Sequence, residues 1–415
     1  MSGARRYAWI AFWIISLHYF IGFFQRVCPA VVASELMKAF GIGGTSMGVL
    51  ASSYFIAYGA MQIPVGILAD AWGVKKTVTL FGCLASVGGI AFGLSPSFGW
   101  ATAARILVGV GVSAFFVCAM KLFADWFKGN QYARISGLFL GFGGLGWLAA
   151  TTPLAFLSQA LGWREIFLVI GGIGLLLTAS AWLWLVERPP GERASAARAS
   201  ADIAPAGPTP WSSFLRVVRT WRFWALAVWF FCINGFNFAF LGLWAGPYLM
   251  DAYGFSPTAT GTVLSLAAFS VIFGAPCLGY LSDRVLRSRK KVLVGAAACL
   301  LLVWSALLLF HGRLSYPALC VVFFFLGLTS SAIGTIGITA VKELFPNDIA
   351  GTAIGTLNVF PFIGGIVFQL SLGMILDRSG SAPYAPEAYV PVIRFLWSAV
   401  AAGLLCTLFV KETFK

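Results

Sequence analysis

Gly66-Ile-Leu-Ala-Asp70-Ala-Trp-Gly73-Val-Lys75-Lys76 is a short polar bend between two long apolar runs. It occurs twice. Gly279-Tyr-Leu-Ser-Asp283-Arg-Val-Leu-Arg287-Ser-Arg-Lys290-Lys291 repeats the Gly-x-Leu-x-Asp core, 213 positions later. Gly48, one apolar segment upstream, finds Gly261 at the same offset, so the echo covers a whole hairpin of two segments. A chain that repeats itself at this scale is built from two copies of one unit.

With 60% hydrophobic residues, 10% charged and a mean hydropathy of +0.89, the chain is far more apolar than a soluble domain, in which about a quarter of residues are charged. Its apolar runs last about 20 to 30 residues, and about 20 helical residues cross a hydrocarbon core of roughly 30 Å. A β-barrel would need alternating segments of about ten residues; Val169 to Val186 does not alternate. Twelve spans follow, at roughly 8–33, 45–69, 76–95, 101–123, 134–157, 163–186, 221–250, 258–281, 291–311, 316–340, 350–376 and 390–410. The expected fold class is an all-α membrane protein with twelve transmembrane helices in two pseudo-symmetric six-helix bundles, 1–186 and 221–415. Between them, 187–220 is rich in Ala, Ser, Pro and Arg and reads as a cytoplasmic linker. Its end, Trp211 to Arg219, has the apolar and basic sides of a short surface helix or of an extension of the seventh span.

A net charge of +14 could point to nucleic acid, but the cations sit in the short gaps between apolar runs. With both termini cytoplasmic in the cell (inner) membrane, twenty Lys and Arg fall on the cytoplasmic side and five on the other, as the positive-inside rule requires. The basic start, Met1 to Arg6, leads into the first span with no small-residue cleavage site. The eight cysteines are scattered singly through apolar segments, with no pairing spacing and no cluster with His18 or His311, so neither disulfides nor a metal site is expected. No GxxxxGK[ST] loop argues for a nucleotide-driven pump, and no nucleophile and base constellation argues for an enzyme. No cofactor is expected.

The repeat returns further on: Gly109, Phe127 and Gly137 align with Gly327, Phe345 and Gly355, all 218 apart. Two parallel six-helix repeats with a midplane pocket between them form a transporter architecture. Over essentially its whole length the chain resembles the major facilitator superfamily. Gly66 to Lys76 is similar to the motif of the loop between helices 2 and 3, Arg105-Ile-Leu-Val-Gly109-Val-Gly111 to the helix 4 motif, and Gly137 to Gly146 lies where helix 5 is Gly-rich. Gln25-Arg26-Val-Cys-Pro29, Gln62-Ile-Pro64-Val-Gly66 and Gly351-Thr-Ala-Ile-Gly355-Thr-Leu-Asn358 most resemble the organic anion and organophosphate branches. Ala71 and Val74 stand where the loop motif has bases, and Val112 where anion:proton symporters often carry Glu. The paired arginines of the nitrate branch have no counterparts. The resemblance implies a latch built from Gly66, Asp70, Gly73, Gly279 and Asp283, weakened by Ala71 and Val74. In it Asp70 meets a helix N-terminus or Arg134, and Gly66 and Gly73 allow close approach and a tight turn.

A cation inside the bilayer costs roughly 2.5 to 3.5 kcal/mol on insertion scales, so it faces the bundle interior with a partner or a role. Arg26 shares a helical face with His18, Gly22 and Pro29, and its fork can hold a carboxylate or phosphate through two parallel bonds. The resemblance implies the same duty; the alternatives are bonding to carbonyls of a broken helix or to Glu35. Arg105, whose repeat-mate is Phe323, reads equally as ligand contact or interhelical tie, and Lys121 as a solvated pair with Asp125 four residues on, with a ligand contact as the alternative. Tyr54, Tyr58 and Gln62 on one face of span two, Asn234 and Asn237 in span seven, and Asn358 in span eleven, with Gln369 at helical spacing from it, are the polar candidates for substrate contact. Trp244, among Gly242, Gly246 and Pro247, marks a gate or kink. No Asp or Glu falls in mid-span, which leaves the interior cationic, with His18, Glu35 and Asp125 as the remaining proton carriers. The expected function is alternating-access secondary transport of a small anionic or zwitterionic metabolite by a monomer in the lipid bilayer, with proton coupling as an option. The alternatives are an exporter of larger amphipathic compounds, such as drugs or siderophores, and a non-transporting sensor.

Overall fold

Within lipid every backbone N–H and C=O must be paired inside its own segment, so spanning runs of this composition become helices. In the computed structural model, which describes residues 2–127, 130–187, 210–332, 336–380 and 382–414, all regular structure among the described residues is helical. Among the described residues nine helices are long and apolar enough to cross a membrane, and a bent pair, Arg134–Ala149 with Thr152–Leu161 at 43°, makes a tenth. Helix 2, broken at Met61, and helix 10, which begins with the shorter apolar Tyr316–Ser330, complete the twelve expected spans.

In the first half lie α1 (Ser2–Val27), α2 (Pro29–Phe40), α3 (Gly44–Ala60), α4 (Gln62–Ala71), α5 (Val74–Gly93), α6 (Phe98–Val112), α7 (Ala114–Trp126), α8 (Asn130–Ala149), α9 (Thr152–Leu161) and α10 (Trp163–Trp184). The second half has α11 (Pro210–Val218), α12 (Trp221–Phe236), a π-helical stretch (Asn237–Trp244), α13 (Ala245–Tyr253), α14 (Pro257–Tyr280), α15 (Arg289–Leu309), α16 (Tyr316–Ser330), α17 (Ile338–Leu344), α18 (Asn347–Leu357), α19 (Val359–Ser379) and α20 (Tyr389–Leu408). The amphipathic segment is thus a helix of its own, α11, with Val217 buried and Trp211 exposed. The linker at 188–209 lies outside the described residues.

The third helix of each triplet (α5, α10, α15 and α20) runs unbroken, whereas helices 1, 2, 4, 5, 7, 10 and 11 are interrupted in mid-span. Prolines mark some breaks: Pro29 opens α2 after Cys28, and Pro153 follows the turn at Thr151. Proline lacks the N–H a continuing helix would use. Every break leaves backbone polar groups to be satisfied from elsewhere.

Without a hydrophobic force between helices in lipid, association rests on close packing of small residues. A methyl on Gly109 of α6 would collide with the Tyr54 carbonyl of α3, and one on Gly327 of α16 with the Ala267 carbonyl of α14. Tyr54 and Ala267 are themselves 213 apart, so the contact between helices 2 and 4 is copied between helices 8 and 10.

The residues fall into two compact units, Met1–Val27 with Ser53–Ala150 and Leu157–Ala206, and Cys28–Ser52 with Thr151–Phe156 and Gly207–Lys415. This partition differs from the repeat halves because α2, the first half of α3 and the start of α9 pack with the C-terminal helices. Gly109→Val should lower the melting temperature of the purified protein, since overpacking costs roughly 1–3 kcal/mol. Gly137→Val, with nothing within 4 Å of its added carbon, should leave it unchanged; equal effects would refute this account of the contact.

Candidate functional site

In the first unit, Arg26 occupies the last turn of α1, where the helix dipole favours a cation. Its guanidinium lies 4.5 Å from the Phe23 ring centroid and 4.8 Å from that of Tyr58, while Nε donates to the Tyr54 hydroxyl at 3.4 Å. Tyr54 and Tyr58 stack at 6.2 Å, and the Tyr54 hydroxyl donates to the Gly22 carbonyl at 3.4 Å. Among the described residues no ion pair engages Arg26. The result is a half-buried cation in a neutral, mostly aromatic frame, with guanidinium donors available to an anion.

Arg105 sits behind this frame, 1% exposed, with its guanidinium 4.9 Å from the Tyr54 ring. Nη1 donates to the Gln25 carbonyl at 2.8 Å, one of the carbonyls left over where α1 ends. It therefore ties helix 4 to the break in helix 1. Its Nε and Nη2 have no partner among the described residues. Tyr54 lies between both arginines, so the two cations share one ring. Gln62 does not join them: its amide donates to its own helix at the Tyr58 carbonyl, 3.4 Å away.

His18 is packed away, with Nδ1 2.8 Å from the Ile14 carbonyl, Nε2 3.4 Å from the Thr178 hydroxyl and its ring against Phe115. Glu35 is half-buried on α2, and Asp125 likewise on α7. In the second unit Asn234 and Asn237 are each 6% exposed, at the junction where α12 gives way to the π-helical stretch. The Asn234 Nδ2 donor and the Asn237 Oδ1 acceptor have no partner among the described residues. Gln369 donates to the Phe238 carbonyl at 3.0 Å, satisfying a group in that irregular stretch. Trp244 closes the stretch and is fully buried, while Asn358 is exposed at the break between α18 and α19.

The two polar bends differ from the expectation and from each other. Asp70 pairs with Lys121 at 2.5 Å and not with Arg134, while Lys121 also donates to the Ala69 carbonyl and so caps α4. Proximity along the helix made Asp125 the expected partner of Lys121, but α4 ends against α7 and presents a free carbonyl as well as a carboxylate. Gly66 has open space around it, so close approach there is not its role; Gly73, at φ +90°, does make the tight turn. In the second bend, which follows Gly279, Arg289 grips both Asp283 and Glu343. The Asp70 side chain is 78% exposed, and an exposed pair contributes about 1 kcal/mol at most.

Missed from sequence were two carboxylate caps at this end. Glu187 accepts from the Lys75 N–H at 2.8 Å, and Glu412 from the Arg289 N–H at 2.9 Å, so each half caps its own third helix. Partial burial raises the Glu412 pKa, but hydrogen bonds from Ser288, Phe414, Arg289 and Lys290 outweigh it and hold the group below its ordinary value. The signal was an acid just after each half's last apolar run.

The family model described as Major Facilitator Superfamily matches residues 15–369. The chain belongs to the Major Facilitator Superfamily. A probable sulfoacetate transporter of Cupriavidus necator is 25% identical over 389 residues, covering 89% of this chain and 87% of that one. A hexuronate transporter of Bacillus subtilis is 27% identical, covering 91% and 92%, and a probable galactarate/D-glucarate transporter of Escherichia coli 22%, covering 89% and 88%. Among solved structures, a D-xylose-proton symporter superposes with a TM-score of 0.77 at 14% identity, covering 99% and 98%, and so shares the fold. Superfamily membership makes this chain a membrane transporter of twelve helices, not an enzyme.

At the end of helix 2 away from the Gly66 bend, the repeated glycines acquire a function within the second unit. Gly48 backs onto the Gln369 carbonyl of helix 11, and Gly261 of helix 8 onto Thr152 of helix 5. Beside Gly48, the Asp377 carboxylate accepts the Gly44 and Thr45 N–H groups, each at 2.7 Å, and the Tyr384 hydroxyl at 2.7 Å. A carboxylate on a helix N-terminus meets both free donors and the positive end of the dipole. Hydrogen bonds to a charged group contribute about 1.5–3 kcal/mol each, so Asp377→Asn should speed hydrogen exchange at residues 44–48 by tenfold or more. Exchange at the wild-type rate would show that this carboxylate does not hold the seam.

Proposed function

We propose that this member of the superfamily is a secondary transporter of a small organic acid anion, a hydroxylated carboxylate by preference, held by Arg26. The observation that carries the reading is a guanidinium in the membrane interior with aromatic rings around it and no carboxylate of its own. Membrane cations seldom persist without a partner or a function, and a substrate carboxylate provides both. Relatives named for sulfoacetate, hexuronate and galactarate transport support the anion class. Larger amphipathic cargo receives no comparable support, since a fork of fixed donors selects for a small oxyanion.

Alternating access supplies the mechanism. Within the second unit the contacts of Gly48, Gly261 and Asp377 must part in the course of that cycle. With the basic loops on the cytoplasmic side and both termini there, the Asp377 seam faces outward.

A thermal-shift panel of aldarates, hexuronates, sulfoacetate and neutral pentoses tests the reading. An anion at a hundredfold its Kd should stabilise the protein by about 2.7 kcal/mol; neutral sugars should do nothing. Arg26→Lys keeps the charge and loses the fork, and should weaken anion binding tenfold or more while the protein stays folded. Equal stabilisation by neutral pentoses, or unchanged anion affinity in Arg26→Lys, would contradict the proposal.

A further inference from the structure

A second basic site lies in the first unit, outside the Arg26 frame. The start of α1, the end of α7 and the start of α8 enclose a cleft of about 800 Å³, whose walls include Arg5, Arg134, Gln131, Trp9, Trp126 and Leu138. Among the described residues no acidic side chain lines it and neither arginine has an ion-pair partner. The basic cleft beside Lys75, Lys76 and Trp182 differs in this respect, for Glu187 stands in its wall. Arg134, expected from sequence to work with Asp70, instead lines this cleft.

The cleft does not end at its polar rim. Trp9, Trp13 and Leu17, spaced i, i+4 and i+8 on α1, are 37%, 50% and 37% exposed, and Leu138 and Leu145 on α8 are 50% and 47% exposed. They continue the apolar wall of the cleft along the helix pair, with Phe142 packed on Trp13 at 5.3 Å. From Arg5 to Leu17 a helix rises about 18 Å, close to half of a hydrocarbon core of roughly 30 Å. Charge at one end, indoles beside it and an apolar track one leaflet long match a single kind of molecule.

We propose that this cleft binds an anionic phospholipid. Its phosphodiester lies between the Arg5 and Arg134 guanidinium groups, and an acyl chain runs along Trp13, Leu17 and Leu145. Basic recesses between transmembrane helices hold anionic headgroups because the arginines attract the charge and the interfacial indoles seat the glycerol level. A free phosphate would use the same two arginines but has no use for the apolar track, and the track decides for the lipid.

The test is lipid retention by the full chain, read by native mass spectrometry after purification from bilayers of phosphatidylglycerol and phosphatidylethanolamine. Wild-type protein should keep phosphatidylglycerol in preference to phosphatidylethanolamine. Arg5→Gln with Arg134→Gln should weaken that retention about 25-fold, at about fivefold for each arginine, whereas the exposed Lys76→Gln should not alter it. Glycerol 3-phosphate or inorganic phosphate, at millimolar concentration, should not displace the lipid. Circular dichroism establishes that the double variant is folded, and each single Gln variant, with about a fivefold loss expected, serves if it is not. Equal retention of the two lipids, unaltered retention in the arginine variants, or displacement by free phosphate would each overturn the proposal.

Discussion

A positive charge that cannot leave the apolar interior is the constraint around which the first unit is arranged. Arg26 and Arg105 both lie against Tyr54, and each solves desolvation in its own way. Arg105 is buried and donates to a carbonyl that the end of α1 leaves over. Arg26 is only half-buried and stands over rings instead of a carboxylate, which leaves guanidinium donors for the proposed cargo. Burying a pair of opposite charges would have stabilised neither much. Under the proposed function, a cation neutralised only by cargo gives its binding energy to the cargo.

Breaks in the helices make that arrangement compatible with movement. The uninterrupted helices 3, 6, 9 and 12 provide each half with straight members, while those bearing Arg26, Asn237 and Asn358 are bent or rewound beside these residues. Irregular backbone is tolerated in a membrane where protein or a cavity supplies its hydrogen bonds, and the Gln369 amide on the Phe238 carbonyl is one such supply. Gly48 and Gly261 then let backbones touch at the seam without side chains between them. Asp377 adds charge-assisted bonds to the Gly44 and Thr45 N–H groups beside them.

How much of this could be read from residues alone depended on the range of each interaction. Periodic features were legible: the 213-residue repeat, the twelve apolar runs and the shared face of Tyr54 and Tyr58 all depend on spacing along one chain. The Arg26 frame followed, because a cation in an apolar run is conspicuous without knowledge of its neighbours. Partners chosen across space were not legible. Lys121 turns to Asp70 instead of the adjacent Asp125 because α4 ends against α7, a fact of packing that no spacing encodes. Gly66 carries the motif yet meets nothing, and Gly48, which drew notice only as an echo, backs onto helix 11. Asp377 was one acid among several at span ends until folding set it over the first amides of α3.

In the proposed mechanism Arg26 itself grips the carboxylate of the cargo. Dipolar-recoupling solid-state NMR on protein in bilayers, with guanidinium-¹⁵N arginine and a ¹³C-carboxylate aldarate, measures that contact. Charge-assisted N–H···O bonds of about 2.7–2.9 Å should dephase the carboxylate signal strongly, and Arg26→Lys, with Arg105 intact, should abolish the effect at a saturating ligand concentration. Strong dephasing that survives in Arg26→Lys would place the anion on another arginine and contradict the account.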